Sequence, residues 1–281
     1  MIPRACITGW RATAPWSTDA QVEQDLVLSR ALVEIFNSPE LAANLAFRGG
    51  TALHKLCFSP ARRYSEDLDL VQSSPGPIGP VMDALHEALD DWLGRPQWKQ
   101  VDGGVALFYR FESEIPPVTR LRLKVEINTR EHFTVMGGHN VPFRIENPWF
   151  SGEAPVGTFA VEELLGTKLR ALYQRSKGRD LFDLDLALRT VKGLDRGKIV
   201  ECMNAHLSKQ DLQVSRAEFE KNLHAKRKDR RFAADVFPLL ASETDDGAAT
   251  LFDPKAAFDR VLSELIALLP GAPWKGSGDR K

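Results

Sequence analysis

Two stretches of this chain alternate between apolar and polar residues with a period of two, the period of a strand with one buried face. In "EDLDLVQ", residues 66–72, Leu68 and Leu70 fall on one face, and Asp67 and Asp69 project side by side from the other. In "TRLRLKVEIN", residues 119–128, Leu121, Leu123, Val125 and Ile127 make an apolar face opposite Arg122, Lys124, Glu126 and Asn128. If the two strands are neighbours, Glu126 becomes a third carboxylate on the surface that carries Asp67 and Asp69. Carboxylates held close repel one another unless cations neutralise them. Hard oxygen ligands suit Mg2+, with Mn2+ as the alternative, and magnesium takes a few carboxylates plus substrate phosphates. Two such ions stabilise the attacking and leaving oxygens of phosphoryl or nucleotidyl transfer.

Upstream, "FRGGTALHKL", residues 47–56, places Gly49 and Gly50 between a short strand and a helix. Lacking a Cβ, they let backbone N–H groups approach phosphate oxygens near a helix N-terminus. Each piece alone has an ordinary reading: a solvated strand edge, a simple turn, an acid on an exposed face. The order of glycine pair, Asp-x-Asp strand and hydrophobic-Glu-hydrophobic strand is far more specific.

Around this motif the patterning predicts a helix from the cap-type residues Ser17, Thr18 and Asp19 to Phe36, a strand at "NLAF" and a helix at "TALHKLCF". A helix at "VMDALHEALDDWL", a strand at "GVALFYRFES" and a hairpin around Gly137 and Gly138 follow. From about Ala160 the pattern turns helical, in "VEELLGTKLRALYQR", "RDLFDLDLALRT" and "RAEFEKNLHAKRKDRRFAADVFPLL". The expectation is an α+β domain over residues 1–155 and a helical domain over 156–281. Cys6, Cys57 and Cys202 lie far apart with no Cys-x-x-Cys spacing, which speaks against zinc and disulfides and for buried, reduced thiols. The first residues are too short for a signal-peptide core and no run reaches membrane-spanning length, so a cytoplasmic protein with no membrane partner is expected.

"FRGGTALHKL", "RYSEDLDLV", "KVEIN", "EELLGTKLRAL" and "GRDLFDLDL", spread over residues 47–186, together resemble the AbiEii/AbiGii toxin family with its MenT branch. That family belongs to the polymerase-β-like nucleotidyltransferase superfamily. The resemblance implies a nucleotidyltransferase domain with a mixed sheet, then a helical domain that completes the nucleotide site and binds RNA. NTP would be the substrate, Mg2+ or Mn2+ the cofactor, and a separately encoded antitoxin the partner. Gly49, Gly50 and Thr51 correspond to the phosphate-side turn, with Arg63, Ser65 and Lys168 in the nucleotide-binding set. Asp67 and Asp69 correspond to the metal-binding acids and Glu126 to the third acid of the wider fold. Lys168 matches the family lysine after the sheet. Arg179, Asp180 and Asp183 match its Arg-Asp-x-x-Asp element, with both aspartates candidates for a catalytic role. Members of the MenT type modify the acceptor end of tRNA, which makes the tRNA 3′ end the expected acceptor and a block of translation the outcome.

The residues themselves leave alternatives open. Lys168 sits at the margin of a stripe made by Leu165, Leu169 and Leu172, where it either snorkels to water or counters charge on a triphosphate. Arg63 either meets phosphate or caps a loop, and Arg179 with Asp180 could be an ion pair at a helix start. The formal net charge of −1 excludes a globally basic nucleic-acid binder. The cluster Lys226, Arg227, Lys228, Arg230 and Arg231 is therefore local: a solvated helix face, or a rim that holds an RNA backbone. The same nucleotidyltransferase could use a protein hydroxyl or a small molecule as acceptor. A nucleotide-binding module without turnover is the non-enzymatic alternative.

Overall fold

A computed structural model describes residues 2–241 and 252–276. The described residues form two compact units, one within Met1–Phe159 and Leu240–Gly247, the other within Ala160–Leu239 and Ala248–Lys281. The fold is α+β, with a mixed seven-stranded sheet in the first unit and helices in the second.

In the first unit, α1 (Arg4–Trp10) precedes α2 (Asp19–Asn37), which starts on a capping box formed by Thr18 and Gln21. Helix α2 buries Val22, Leu26, Leu32, Val33 and Phe36. Helix α3 (Pro39–Asn44) leads into β1 (Leu45–Arg48), and α4 (Gly49–Ala52) runs on into a π-helical turn at Leu53–Cys57. Then come β2 (Asp67–Gln72), α5 (Gly79–Leu93), β3 (Gln97–Val101), β4 (Gly104–Glu112), β5 (Arg120–Asn128), β6 (Gly138–Asn147) and β7 (Phe150–Phe159). The strand order is β3-β4-β5-β2-β1-β7-β6. Strand β2 lies at the centre, antiparallel to β1 and parallel to β5, and β1 is parallel to β7. Leu68, Leu70, Leu123, Val125 and Ile127 are all buried, as the alternation requires. Each such side chain stabilises the sheet by roughly 1.5–3 kcal/mol. The opposite face of β2 and β5 keeps the charges.

The second unit contains α6 (Val161–Gln174), α7 (Gly178–Thr190), α8 (Arg196–Ser208), α9 (Arg216–Lys228) and α10 (Pro254–Glu264). Helix α6 meets α8 at Gly166, where a Cβ would stand 2.7 Å from the Cys202 Cβ and 2.9 Å from the Ile199 carbonyl oxygen. No side chain larger than hydrogen fits there without moving backbone. No helix among the described residues is long and apolar enough to cross a membrane.

The structure departs from the expected elements at several points. The hairpin does not turn at Gly137 and Gly138. Gly138 instead opens β6, and the turn falls between Asn147 and Phe150, which pair. Strand β7 carries Gly152, Pro155 and Gly157, which hide its strand character from propensity. It runs to Phe159, across the expected boundary at 155, and the units divide after that residue. Leu240 and Ala241 return to the first unit, where Leu240 bridges Arg63 and the Ala241 amide donates to the Arg62 carbonyl. The long helix expected from Arg216 stops at Lys228, because Asp229 turns extended and its carboxylate accepts from the Arg231 amide. Cys6 and Cys202 are buried, and Cys57 is only half-buried.

Candidate active site

The charged face of β2 is built by three neighbours. Pairing of β1 with β2 sets Arg48 opposite Asp69, and pairing of β2 with β5 sets Glu126 opposite Asp69 on its other side. Asp67 and Asp69 are both half-buried and share this face. The chain leaves β1 at Gly49 with φ +82°, and a Cβ there would lie 2.2 Å from Oδ2 of Asp69. The glycine thus does two things: it takes a backbone conformation L side chains avoid, and it makes room for one carboxylate. Gly50 and Thr51 continue the helical turn, whose first N–H groups have no acceptor within the helix. Thr51 is buried, donates its hydroxyl to the Asp67 carbonyl at 2.6 Å, and lies 2.8 Å from the Ser65 hydroxyl. This clasp ties the turn after β1 to the start of β2.

Glu126 shares the face, but its carboxylate is ion-paired with Lys124. Burial alone would lower the Lys124 pKa, yet its hydrogen bond to Glu126 and the charges of Asp67, Glu126 and Asp69 hold it above the ordinary lysine value. Lys124 therefore reports the acidity of the surface. Among the described residues no group of three or more His, Cys, Asp or Glu side chains converges as a metal cluster. Glu126 thus joins Asp67 and Asp69 on one face, as the pairing of β2 with β5 requires, and there its charge is met by Lys124 of its own strand. A pair of strand carboxylates beside a backbone-only neighbour still fits magnesium, whose preference is for few carboxylates and several phosphate or water oxygens. Arg63 is buried, with its guanidinium donating to the Tyr64 carbonyl at 3.1 Å. That placement is a loop anchor's, not that of a cation offered to a phosphate.

In the second unit Lys168 does not snorkel. It is 6% exposed, and its Nζ lies 3.1 Å from an oxygen of Asp180 and 3.1 Å from one of Asp183. The two aspartates stand three residues apart in the first turns of α7, on one face, and both are fully buried. Asp180 also accepts a bidentate pair from Arg175, at 2.7 and 2.8 Å. Burial would raise the Asp180 pKa, but Lys168 and Arg175 outweigh it and the pKa is lowered. The expected helix-start pair of Arg179 with Asp180 is thus replaced by Lys168 and Arg175. Sequence reasoning missed Arg175, whose only signal was a basic residue in the short loop between α6 and α7.

The basic cluster is divided by the structure. Lys226 is buried, and its ammonium donates to the carbonyls of Leu172 and Tyr173 in the last turn of α6, the Tyr173 bond at 3.0 Å. Burial lowers its pKa to about 8, against the pull of Asp180. Lys226 is therefore a helix cap and is withdrawn from any surface that meets RNA. Arg227 is tied to Asp259 at 2.6 Å. Lys228, Arg230 and Arg231 are exposed.

Residues 30–264 match the family model described as the nucleotidyl transferase AbiEii toxin of type IV toxin–antitoxin systems. The chain belongs to that family. Among solved structures, the AbiEii-family chain is similar to the nucleotidyltransferase toxin MenT4 from Mycobacterium tuberculosis H37Rv. The two are 18% identical, the match covers 96% of this chain and 100% of the other, and the TM-score is 0.59. At that identity the likeness shows the fold. An antigenic nucleotidyltransferase-like protein from Paracoccidioides brasiliensis is 16% identical over 73% of this chain and 95% of its own, but its TM-score of 0.37 is too low to bear on the fold. A search of curated proteins finds no match. Membership in the AbiEii family makes nucleotidyl transfer the chemistry against which the Gly49, Asp67 and Asp69 geometry is to be read.

Proposed function

We propose that the chain is a magnesium-dependent nucleotidyltransferase that moves NMP from NTP to the 3′ end of tRNA, blocking translation until a cognate antitoxin intervenes. One observation carries this reading: Gly49, at positive φ, abuts the carboxylate of Asp69, next to Asp67 on the same strand face. A strand face that serves only as a solvated surface has no need of a glycine fitted to one of its acids.

Asp67 and Asp69 would hold the divalent ion, Mg2+ or Mn2+, which when bound neutralises phosphate charge. The N–H groups of Gly49 and Gly50 would meet phosphate oxygens, with Ser65 and Thr51 fixing the turn that presents them. Lys168 would counter the charge that builds on the leaving pyrophosphate by exchanging part of its pairing with Asp180 and Asp183. A ribose hydroxyl of the acceptor attacks the α-phosphorus. The new P–O bond forms as the bond to pyrophosphate breaks, and the hydroxyl proton leaves to a carboxylate or to solvent.

The test is incubation of the purified protein with each of the four labelled NTPs, magnesium and bulk tRNA, with total protein as a parallel acceptor. Labelled tRNA, lost in Asp67→Ala and in Asp69→Ala, is the expected result. Label on protein alone would move the acceptor to a protein hydroxyl. No label on any acceptor, with NTP still bound, would leave a nucleotide-binding module.

A further inference from the structure

Helices α9 and α10 and the segment after them line an open cavity of about 370 Å³ that the proposed chemistry does not use. Its size is that of a small-ligand site, for which roughly 300–1,000 Å³ is usual. Leu223, Phe258 and Leu262 supply apolar lining, and the rings of His224 and Trp274 supply an aromatic wall, with centroids 4.8 Å apart and planes tilted by 56°. Phe258 and Leu223 are buried, whereas His224 is exposed and Trp274 half-buried, so the aromatic wall is reachable from outside. The Trp274 backbone is fixed, its amide donating to Glu220 at 2.6 Å.

The lining carries two guanidiniums, each matched by an acid. Arg216 pairs with Glu220 at 2.7 Å, and Arg227, whose guanidinium lies 6.0 Å from the Phe258 ring centroid, is steadied by Asp259. Directly after Arg227 in the chain come the exposed cations Lys228, Arg230 and Arg231. A half-buried indole, an apolar floor, a steadied guanidinium and a run of exposed cations next along the chain suit a ligand that is planar at one point and anionic along its length. Single-stranded RNA has this chemistry, since its bases stack on aromatic rings and guanidinium planes while its phosphates meet Lys and Arg. An acidic peptide matches the cations but offers a planar face only where it carries an aromatic side chain, whereas every nucleotide brings one.

We infer that this cavity is a nucleobase subsite that stacks one unpaired base of the RNA acceptor against Trp274, with Lys228, Arg230 and Arg231 on the adjoining phosphates. The inference rests on the reading that the acceptor is RNA, and the experiment separates the two. Full-length protein is titrated against a fluorescently labelled single-stranded cytidylate hexamer and a matching hexamer of abasic ribose phosphate. Transfer of labelled NMP to tRNA is measured on the same preparations. Base-on-aromatic stacking corresponds to roughly 5- to 150-fold in affinity per base. The wild type should prefer the base-bearing hexamer by a factor in that range. Trp274→Ala should erase the preference without changing affinity for the abasic hexamer, and Trp274→Phe should keep most of it. Ala retains the amide bond to Glu220, and circular dichroism checks that the variant folds. A preference that survives Trp274→Ala overturns the subsite, as does a wild type that binds both hexamers equally, an outcome that points to a protein side chain as the occupant. Labelled tRNA with either of those results sinks the subsite alone. Loss of tRNA labelling with the Trp274-dependent preference intact sinks the acceptor reading and leaves the subsite standing.

Discussion

Replacing Gly49 by alanine tests the site at its tightest point. The new Cβ would sit 2.2 Å from Oδ2 of Asp69 and 3.0 Å from its Cβ, on a backbone with φ +82°. Two costs follow. Holding an alanine in the left-handed region costs about 1–2 kcal/mol. Relieving the overlap adds about 1–3 kcal/mol, as overpacking in a fitted site does. To regain an ordinary contact of 3.4 Å the carboxylate oxygen must retreat by about 1.2 Å. A misplacement of roughly 1 Å can cost ~100-fold in rate. Gly49→Ala should therefore lower NMP transfer by about two orders of magnitude while the protein stays folded, with a melting temperature lower by roughly 2–4 °C for each kcal/mol lost.

The two costs separate in a double-mutant cycle. Asp69→Ala removes the oxygen that the new Cβ meets and leaves only the 3.0 Å approach to the Cβ, so in that background Gly49→Ala should cost the backbone share and little more. Denaturant unfolding of the four proteins should give a coupling of about 1–3 kcal/mol, within the range for residues in contact. Strictly additive effects, together with wild-type transfer by Gly49→Ala, would refute the claim that the glycine exists to seat Asp69.

Three further outcomes are expected. Lys168→Ala should reduce transfer ~100- to 1,000-fold and, because it strips a cation from two buried carboxylates, destabilise the fold by about 3–5 kcal/mol. Wild-type stability by chemical denaturation would show that the buried pairing contributes little. Lys226 has a folded-state pKa lowered to about 8, below the ordinary lysine value of about 10.4, so the unfolded chain binds more protons between those values. Stability should rise as pH climbs through that window by at most about 3 kcal/mol, and the rise should vanish in Lys226→Met, which unfolding at pH 7.5, 9 and 10.5 would reveal. Replacing Lys228, Arg230 and Arg231 together by glutamine should flatten the salt dependence of RNA affinity by about 0.7–0.9 in slope per lost phosphate contact, without changing NTP affinity; an unchanged slope would make them solvent-facing charges only.

The central strands were legible because their signal is local. Alternation in β2 and β5 assigns each side chain to a face, and Leu68 and Leu123 are buried as that assignment demands. The hairpin of β6 and β7 was not legible, since Gly137 and Gly138 resemble a turn and β7 is diluted by Gly152, Pro155 and Gly157. Pairing with β6 along its whole length makes β7 a strand, and the bond of the Thr158 hydroxyl to the Phe47 carbonyl at 2.6 Å fixes its end beside β1. The β1 partner lies more than a hundred residues away, beyond any window of sequence, and the local β6 pairing is masked by those glycines and the proline.

At the site the same division holds, with one instructive exception. That Asp67 and Asp69 share a face followed from period two, but why the turn before them begins with glycine did not. The reason is a contact with Asp69 that exists only once β1 and β2 are in register. Lys168 could not be resolved either, because a lysine at the edge of a leucine stripe faces water or a carboxylate according to how the neighbouring helix packs. Lys226 is the exception. It lies seven residues after Phe219 and three after Leu223, both buried, so it occupies the apolar stripe of α9. Counting charges along the segment grouped it with Lys228, Arg230 and Arg231, whereas reading its helical face places it inward. An inward lysine needs acceptors, and the last carbonyls of α6 provide them. Charge density therefore locates a basic segment, and helical phase decides which of its cations can reach a phosphate.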